Sequence, residues 1–352
     1  MAAQKATIRE MAKLAGVSPA CVSMILNKRN LQRFSEETVK KVRQVAASVQ
    51  YKPKHLRPEG GFVRIICPSV MNPYYSTLIQ SIEQEAIERG LRTSICTTYW
   101  DKSIEKALLD EAVASRETFG VIFAMIPQQP ELARKASKQI PVVAVGDRLD
   151  DLGFDTVEIN NFHGGEVIGN HLIELGHKRV AYISTALNEE HSARVRRCEG
   201  LQAAYHARGM EGAVRIFSAE IPSYIELNTT SIEYDTGYQL TRKCMAEYGE
   251  ATALVVVNDM VAYGVLDGLA DLGLRIPEDV SVCAFDNIFP SRFSGIQLTT
   301  VEHSIQDRGR SAFRLISERL KNPDYPAHAG GINRVEHMVQ LVARKTTGPA
   351  KS

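Results

Sequence analysis

The sequence predicts an N-terminal all-α helix-turn-helix domain, followed by a larger α/β region built on parallel sheets. Three observations lead there. The first is charge. Residues 1–57 hold twelve Lys and Arg against three Asp and Glu, a net of +9, and the other residues a net of −8. A basic head on an acidic body fits a polyanion-binding module joined to one that does not bind polyanions. The second is the arrangement of caps, a turn glycine and small residues in residues 7–49. The third is an alternation of strand-like and helix-like runs after Gly60-Gly61.

In the head, Thr7-Ile8-Arg9-Glu10 reads as a capping box that opens a helix from Ile8 to about Leu14. Ile8, Met11, Ala12 and Ala15 share one face of it. Gly16 stands where the chain turns sharply and favours positive φ. Ser18 is a good N-cap and Pro19 a good first helical residue. Val22, Ile25 and Leu26 then recur at core spacing. Ala12 lies four residues before the glycine and lets the helices approach. Val22 and Ile25 lie six and nine residues after it and close the core. A third helix is expected from the Ser35 cap to about Val49, with Glu36 and Glu37 in its first turn and Val39, Val42, Val45 and Val49 inward.

In the body, strands are expected over Val63–Cys67, Arg92–Thr97, Phe119–Met125, Val142–Val145, Arg179–Ile183, Val214–Phe217, Ala253–Val257 and Val280–Phe285. Helical patterns of ten or more residues separate most of them, the pattern of parallel sheets with crossover helices. So many strands suggest two similar halves rather than one small sheet.

Composition narrows the function. The 352 residues are 44% hydrophobic and 24% charged, as in globular proteins, and hold no apolar run of membrane-spanning length. No apolar signal stretch follows Met1–Ala6, so a cytoplasmic protein is expected. Six scattered cysteines without C-x-x-C spacing argue against a disulfide framework or zinc site. No nucleotide-binding glycine motif, nucleophile elbow or H-E-x-x-H is present, so neither an enzyme nor a cofactor is expected. Gly164-Gly165 looks only superficially like a phosphate loop.

"ATIREMAKLAGVSPACVSMILN" and "SEETVKKVRQVAASVQYKP" resemble the DNA-binding domain of the lactose/galactose repressor family. The likeness continues in Asn72-Pro73-Tyr74-Tyr75, "HLIELGHKRVAYIS", "SARVRRCEGLQAAY", "VVNDMVAYGVL", "LRIPEDVSVCAFDN" and "LTTVEHS". It implies a sensor of periplasmic-binding-protein type I fold, two doubly wound lobes with a ligand cleft between them. The implied division is a DNA-binding domain at 1–53, a linker at 54–61, a sensor at 62–344 and a tail at 345–352. One lobe would cover 62–160 and 288–318, the other 161–287 and 319–344.

The resemblance implies a transcription regulator, expected to be a repressor, which binds duplex operator DNA as a homodimer and answers to a small-molecule effector. Pro19, Ala20 and Met24 fall on base-reading positions, beside Ser18, Cys21, Val22 and Ser23. Pro19 and Ala20 offer no hydrogen bonds and read methyl groups or shape alone. Met24 replaces an arginine of some relatives. Thr7, Ser23, Asn27 and Tyr51 are candidate phosphate contacts. The implied effector residues are Tyr74 or Tyr75, Asp147, Arg197, Asn258, Asp286 and His303. Arg and Asp bonding to vicinal hydroxyls, with a ring on a C–H face, suits a sugar. Each has a structural alternative: Asn258 as a helix cap, Asp286 on loop amides, His303 as a core residue. Asp147 is offset by one residue from the family aspartate.

Two departures carry consequences. Pro58, Gly60 and Gly61 disfavour the family's minor-groove hinge helix after Tyr51-Lys52-Pro53. A short basic tether is expected instead, with Lys54, His55 and Arg57 on phosphates or a narrow groove, Leu56 as a weaker wedge, and less bending of the operator. The chain also lacks a heptad helix after Arg344, so a dimer rather than a tetramer is expected. The rival reading, a solute-binding protein of the same sensor fold, has no use for a helix-turn-helix.

The charge asymmetry makes the first prediction. DNA affinity is expected to fall by about a thousandfold between about 50 and 200 mM salt, because a dimer gripping several phosphates must displace counterions. Anisotropy titrations across salt measure the slope, and a flat dependence would remove residues 1–57 as the DNA-binding surface.

Overall fold

The computed structural model describes residues 8–26, 33–49, 61–147, 151–188, 192–221, 225, 229, 231–321 and 331–351. The chain divides into two compact units, Met1–Gly60 and Gly61–Ser352.

The first unit holds helices α1 (Ile8–Ala15), α2 (Pro19–Leu26) and α3 (Glu36–Ser48). Gly16 takes φ 68° at the turn, and the Val17 amide donates to the Ala12 carbonyl at 3.0 Å. Ser18 Oγ accepts from the Cys21 amide at 3.1 Å and Ser35 Oγ from the Thr38 amide at 3.2 Å, so both expected caps are made. Met11, Ala12, Ala15, Cys21, Val22, Ile25, Val42 and Ala46 form the core. Val39, Val45 and Val49 are only half-buried, because Ala46 takes the central place in α3. Thr7, Asn27, Tyr51, Lys54, His55, Leu56 and Arg57 lie outside the described residues.

The second unit carries two six-stranded sheets, ordered β11-β5-β4-β3-β1-β2 and β12-β10-β9-β8-β6-β7. The first lobe runs β1 (Phe62–Cys67), α4 (Pro73–Glu88), β2 (Arg92–Thr97), α5 (Lys102–Ala114), β3 (Thr118–Phe123), α6 (Pro130–Ser137), β4 (Val142–Asp147) and β5 (Asp155–Ile159). The second runs α7 (Asn161–Glu174), β6 (Val180–Ser184), α8 (Ser192–His206), β7 (Val214–Ser218), α9 (Ile232–Glu247), β8 (Ala253–Val256), α10 (Asp259–Asp271), β9 (Ser281–Asp286) and β10 (Thr299–Glu302). Then α11 (Ile305–Lys321) and β11 (Arg334–His337) return to the first lobe, and β12 (Gln340–Val342) to the second. Central strands such as β3 and β9 are buried along their whole length, as helices on both faces require. Among the described residues no helix is long and apolar enough to cross a membrane.

The return segments differ from expectation. Residues 299–302 pair with β9 in the second sheet, not the first lobe. Residues 334–337 pair with β5 in the first sheet. The residues expected as a tail are integral to the second lobe. The Val282 amide donates to the Thr346 carbonyl at 2.7 Å, the Thr299 amide to Thr346 Oγ1 at 2.8 Å, and the Ala350 amide to the Leu175 carbonyl at 2.8 Å.

Helices α7 and α8 cross backbone to backbone. A Cβ at Gly165 would lie 2.1 Å from the Arg197 carbonyl oxygen, and one at Gly200 would lie 1.9 Å from that of Phe162. The glycine pair in "FHGGEVIG" is therefore a packing surface. Gly200→Ala must push the two backbones apart and is expected to cost about 3 kcal/mol, read as a lowered midpoint in urea unfolding.

Candidate functional site

In the head, Ser18, Pro19 and Ala20 are exposed and Ser23 and Met24 half-buried, so these five form the accessible face of α2. Cys21 and Val22 do not belong to it. At 9% and 0% exposure their side chains fill the core against α1 and α3, because a helix places them on its opposite side. The expectation of DNA contact by those two side chains is corrected accordingly.

The sensor carries a cleft between the lobes, about 1290 Å³ including its open mouth. It lies at the carboxyl ends of the parallel strands, where loops from both sheets meet. Tyr74, Tyr75, Asp147, Arg197, Asn258 and Asp286 all line it, so six of the seven expected effector residues come together. Tyr74 and Tyr75, expected as alternatives, both line the cleft, packed edge to face with centroids 5.1 Å apart.

Arg197 organises the floor. Its Nε donates to Asn161 Oδ1 at 2.8 Å, Nη1 to the Val257 carbonyl at 2.6 Å and Nη2 to Asp286 Oδ1 at 3.3 Å. The guanidinium lies over Phe285, 4.8 Å from the ring centre. Asn161 in turn donates its Nδ2 to Asp147 Oδ1 at 3.0 Å, which carries the chain of contacts into the first lobe. Asp286 holds φ 110° and Asn287 φ 52°, backbone conformations unusual for residues with a Cβ. Such strain costs on the order of 1–3 kcal/mol each and persists where surrounding bonds fix it, commonly at functional sites.

His303 does not line the cleft. It is 0% exposed behind Arg197, its Nδ1 3.3 Å from both Arg197 Nη2 and Asp286 Oδ1. It supports Arg197 from below, and a ligand reaching it would first have to displace the arginine. Asn258 proves to be both cap and cleft residue. Its Oδ1 accepts from the Val261 amide at 2.9 Å while its Nδ2 donates to Glu233 at 2.7 Å.

Four cleft residues were not foreseen as such. Asn161 is the hub just described. Glu233, on the first turn of α9, accepts from Asn258 and from Asn72 of the first lobe, and burial raises its pKa. Arg308, from α11, donates to Tyr74 Oη at 2.8 Å and to the Gly146 carbonyl at 3.2 Å. Arg194 also lines the cleft. Below the floor Asp259 accepts from the Ile288 amide, Ser291 and Thr300, and burial, then the charge of Asp286, pushes its pKa up to about 7.

A basic helix-turn-helix head on a two-lobed sensor with a polar cleft defines a ligand-controlled DNA-binding regulator. Residues 170–347 match the periplasmic binding protein-like domain, and residues 7–54 match the bacterial regulatory proteins of the lacI family. The chain belongs to the LacI family of DNA-binding transcription regulators, whose members are not enzymes. It is 27% identical over 349 residues to the HTH-type transcriptional repressor PurR of Mannheimia succiniciproducens, covering 97% of this chain and 98% of that one. It is 29% identical over 344 residues to PurR of Haemophilus influenzae strain PittEE, again over 97% and 98%. A LacI-family regulator from Silicibacter pomeroyi shares the fold with TM-score 0.71 at 22% identity, covering 97% of this chain and 99% of that chain. So does a LacI-family regulator from Enterococcus faecium with bound ribose, TM-score 0.70 at 24% identity, covering 82% and 100%.

Burial, then the charge of Arg197, pushes the pKa of His303 down to about 4 from an ordinary 6.5. The unfolded chain therefore binds this proton more tightly than the folded one. Stability from a neutral His303 is complete above pH 6.5 and is lost as pH falls toward 4, on the order of 3 kcal/mol in all. His303→Gln keeps a polar partner for Arg197 and removes the titration. Its urea-unfolding free energy is expected to change less than wild type's across that window; equal slopes would show that His303 is not the titrating group.

Proposed function

We propose that this regulator is a repressor whose operator affinity is set by a neutral polyhydroxylated ligand, a sugar, closed between the two lobes. The observation that carries this is the charge balance of the cleft. Asp147, Glu233 and Asp286 face Arg194, Arg197 and Arg308, three carboxylates against three guanidinium groups. An ionic ligand would leave one sign uncompensated in a half-buried space, whereas hydroxyls donate to the carboxylates and accept from the arginines. Tyr74, Tyr75 and Trp100 supply rings for the C–H faces of a pyranose or furanose. Bound ribose in the Enterococcus faecium regulator and cellobiose in the CelR complex support the same class.

Repression is supported by the PurR relatives. The exposed face of α2, Ser18, Pro19, Ala20, Ser23 and Met24, is the proposed base-reading surface. Thr7, Asn27, Tyr51 and the tether residues are proposed contacts to phosphate or minor groove. A homodimer supplies the two heads that a palindromic operator needs. The exposed pair Phe289 and Phe293, 71% and 47% accessible, gives the second lobe an apolar patch suited to such association.

Thermal shift against a panel of sugars and nucleosides tests the ligand class, since a ligand specific to the folded state raises the melting temperature. A sugar is expected to do so, and to change operator affinity in a gel shift. Arg197→Ala is expected to lose both responses while the head still binds DNA with its salt dependence. Stabilisation by nucleosides alone would overturn the carbohydrate reading. Loss of operator binding by a folded Arg197→Ala protein would overturn the placement of the effector site.

A further inference from the structure

Glu233 spans the cleft. Its Oε2 accepts from Asn72 Nδ2 of the first lobe at 2.7 Å, and its Oε1 from Asn258 Nδ2 of the second at 2.7 Å. Neither asparagine is free to turn. Asn72 caps α4, its Oδ1 accepting from the Tyr74 amide at 2.9 Å, and Asn258 caps α10 through the Val261 amide. Each cap fixes the oxygen inward on its helix and leaves the NH₂ group facing the cleft. Two donors presented from opposite sides call for one group with two acceptor atoms, and a carboxylate supplies it. Arg194, which lines the same cleft and acts electrostatically on Glu233, makes no side-chain hydrogen bond to another described residue.

We propose that Glu233 is a specificity-determining residue of the effector site: without ligand it latches the lobes through Asn72, and it admits ligands whose vicinal hydroxyls replace the two asparagine donors. This rests on the carbohydrate reading of the cleft for its ligand and on the hydrogen bonds alone for its latch. A vicinal diol offers two O–H donors at a spacing that one carboxylate accepts, and its remaining lone pairs face Arg194. A ligand that is only an acceptor has nothing to give Glu233 and leaves it buried and unpaired, which is unfavourable. The residue thus selects by donor pattern, while Arg197 and Asp286 hold the floor.

The latch is tested on the full chain without ligand, by hydrogen exchange of residues 69–76 and 231–236. Asn72→Asp keeps the α4 cap but sets a carboxylate against Glu233. Exchange in both segments is expected to quicken by about tenfold, the loss of one half-buried hydrogen bond. Adding Glu233→Gln to Asn72→Asp restores a donor–acceptor pair and is expected to return exchange toward wild type. A purely structural effect of Asn72→Asp would not be rescued. Unchanged exchange in Asn72→Asp, or no rescue in the double variant, overturns the latch. For the ligand role, D-ribose and cellobiose serve as probes. A probe that stabilises wild type is expected to bind Glu233→Ala at least tenfold more weakly, and equal affinity overturns selection by Glu233. If neither probe nor any other sugar stabilises wild type, the carbohydrate reading falls, and the exchange experiment alone decides on the latch.

Discussion

The sensor depends on one buried guanidinium. Arg197 sits at 8% exposure and ties α7, the end of β8 and the end of β9 to one point through Asn161, Val257 and Asp286. A buried charge of this kind is tolerated only when its partners are complete; removing one partner typically costs about 3–5 kcal/mol. Completeness here rests on backbone proximity. α8 can bring Arg197 within reach of Asn161 because Gly165 and Gly200 let the two helices touch without side chains between them. The residue with the unusual backbone, Asp286, is a member of the same network through its carboxylate on Arg197. Packing, strain and recognition chemistry are therefore one arrangement seen at three scales.

The two polar chains across the cleft differ in kind. Asp147, Asn161, Arg197 and Asp286 form a floor, continuous from the first lobe into the second and shielded by Phe285 and His303. Asn72, Glu233 and Asn258 form a clasp, and it joins the lobes through one hydrogen bond, from Asn72 to Glu233. A ligand meeting the cleft competes with the clasp and is oriented by the floor. The chemistry of selection and that of orientation thus reside in different residues.

Much of this was legible in the sequence. The helix-turn-helix followed from Ser18, Pro19 and Gly16, because caps and turn glycines act over three or four residues. Eight strands followed from strand-like runs, six of them buried apolar segments and two, β2 and β7, lying at the sheet edges and largely unburied. β5, β10, β11 and β12 did not: Asp155–Ile159 and Arg334–His337 mix charged and apolar residues, and Gln340–Val342 is only three residues long. Within the site, Arg197, Asn258 and Asp286 lie in local motifs. Asn161, Glu233 and Arg308 earn their places from partners 25 to 234 positions away, a relation that no local pattern encodes. Cys21 and Val22 show the opposite error: positions beside the exposed face of α2 in sequence face the core in space, while His303, expected from the resemblance, is buried behind Arg197.

The threading of the chain between lobes has a consequence for how the protein is made. The first sheet lacks an edge until Arg334–His337 pairs with β5, where Asp155 also receives the Asn333 amide and the Arg319 guanidinium. The second lacks its last strand until Gln340–Val342 arrives, and its floor is closed by Thr346 between β9 and β10. On the ribosome, then, the helices of the head emerge together and first, whereas each sheet is completed only when residues 334–346 have emerged. A chain cut before Arg334 would keep the three helices of the head whole while leaving each sheet of the sensor one strand short.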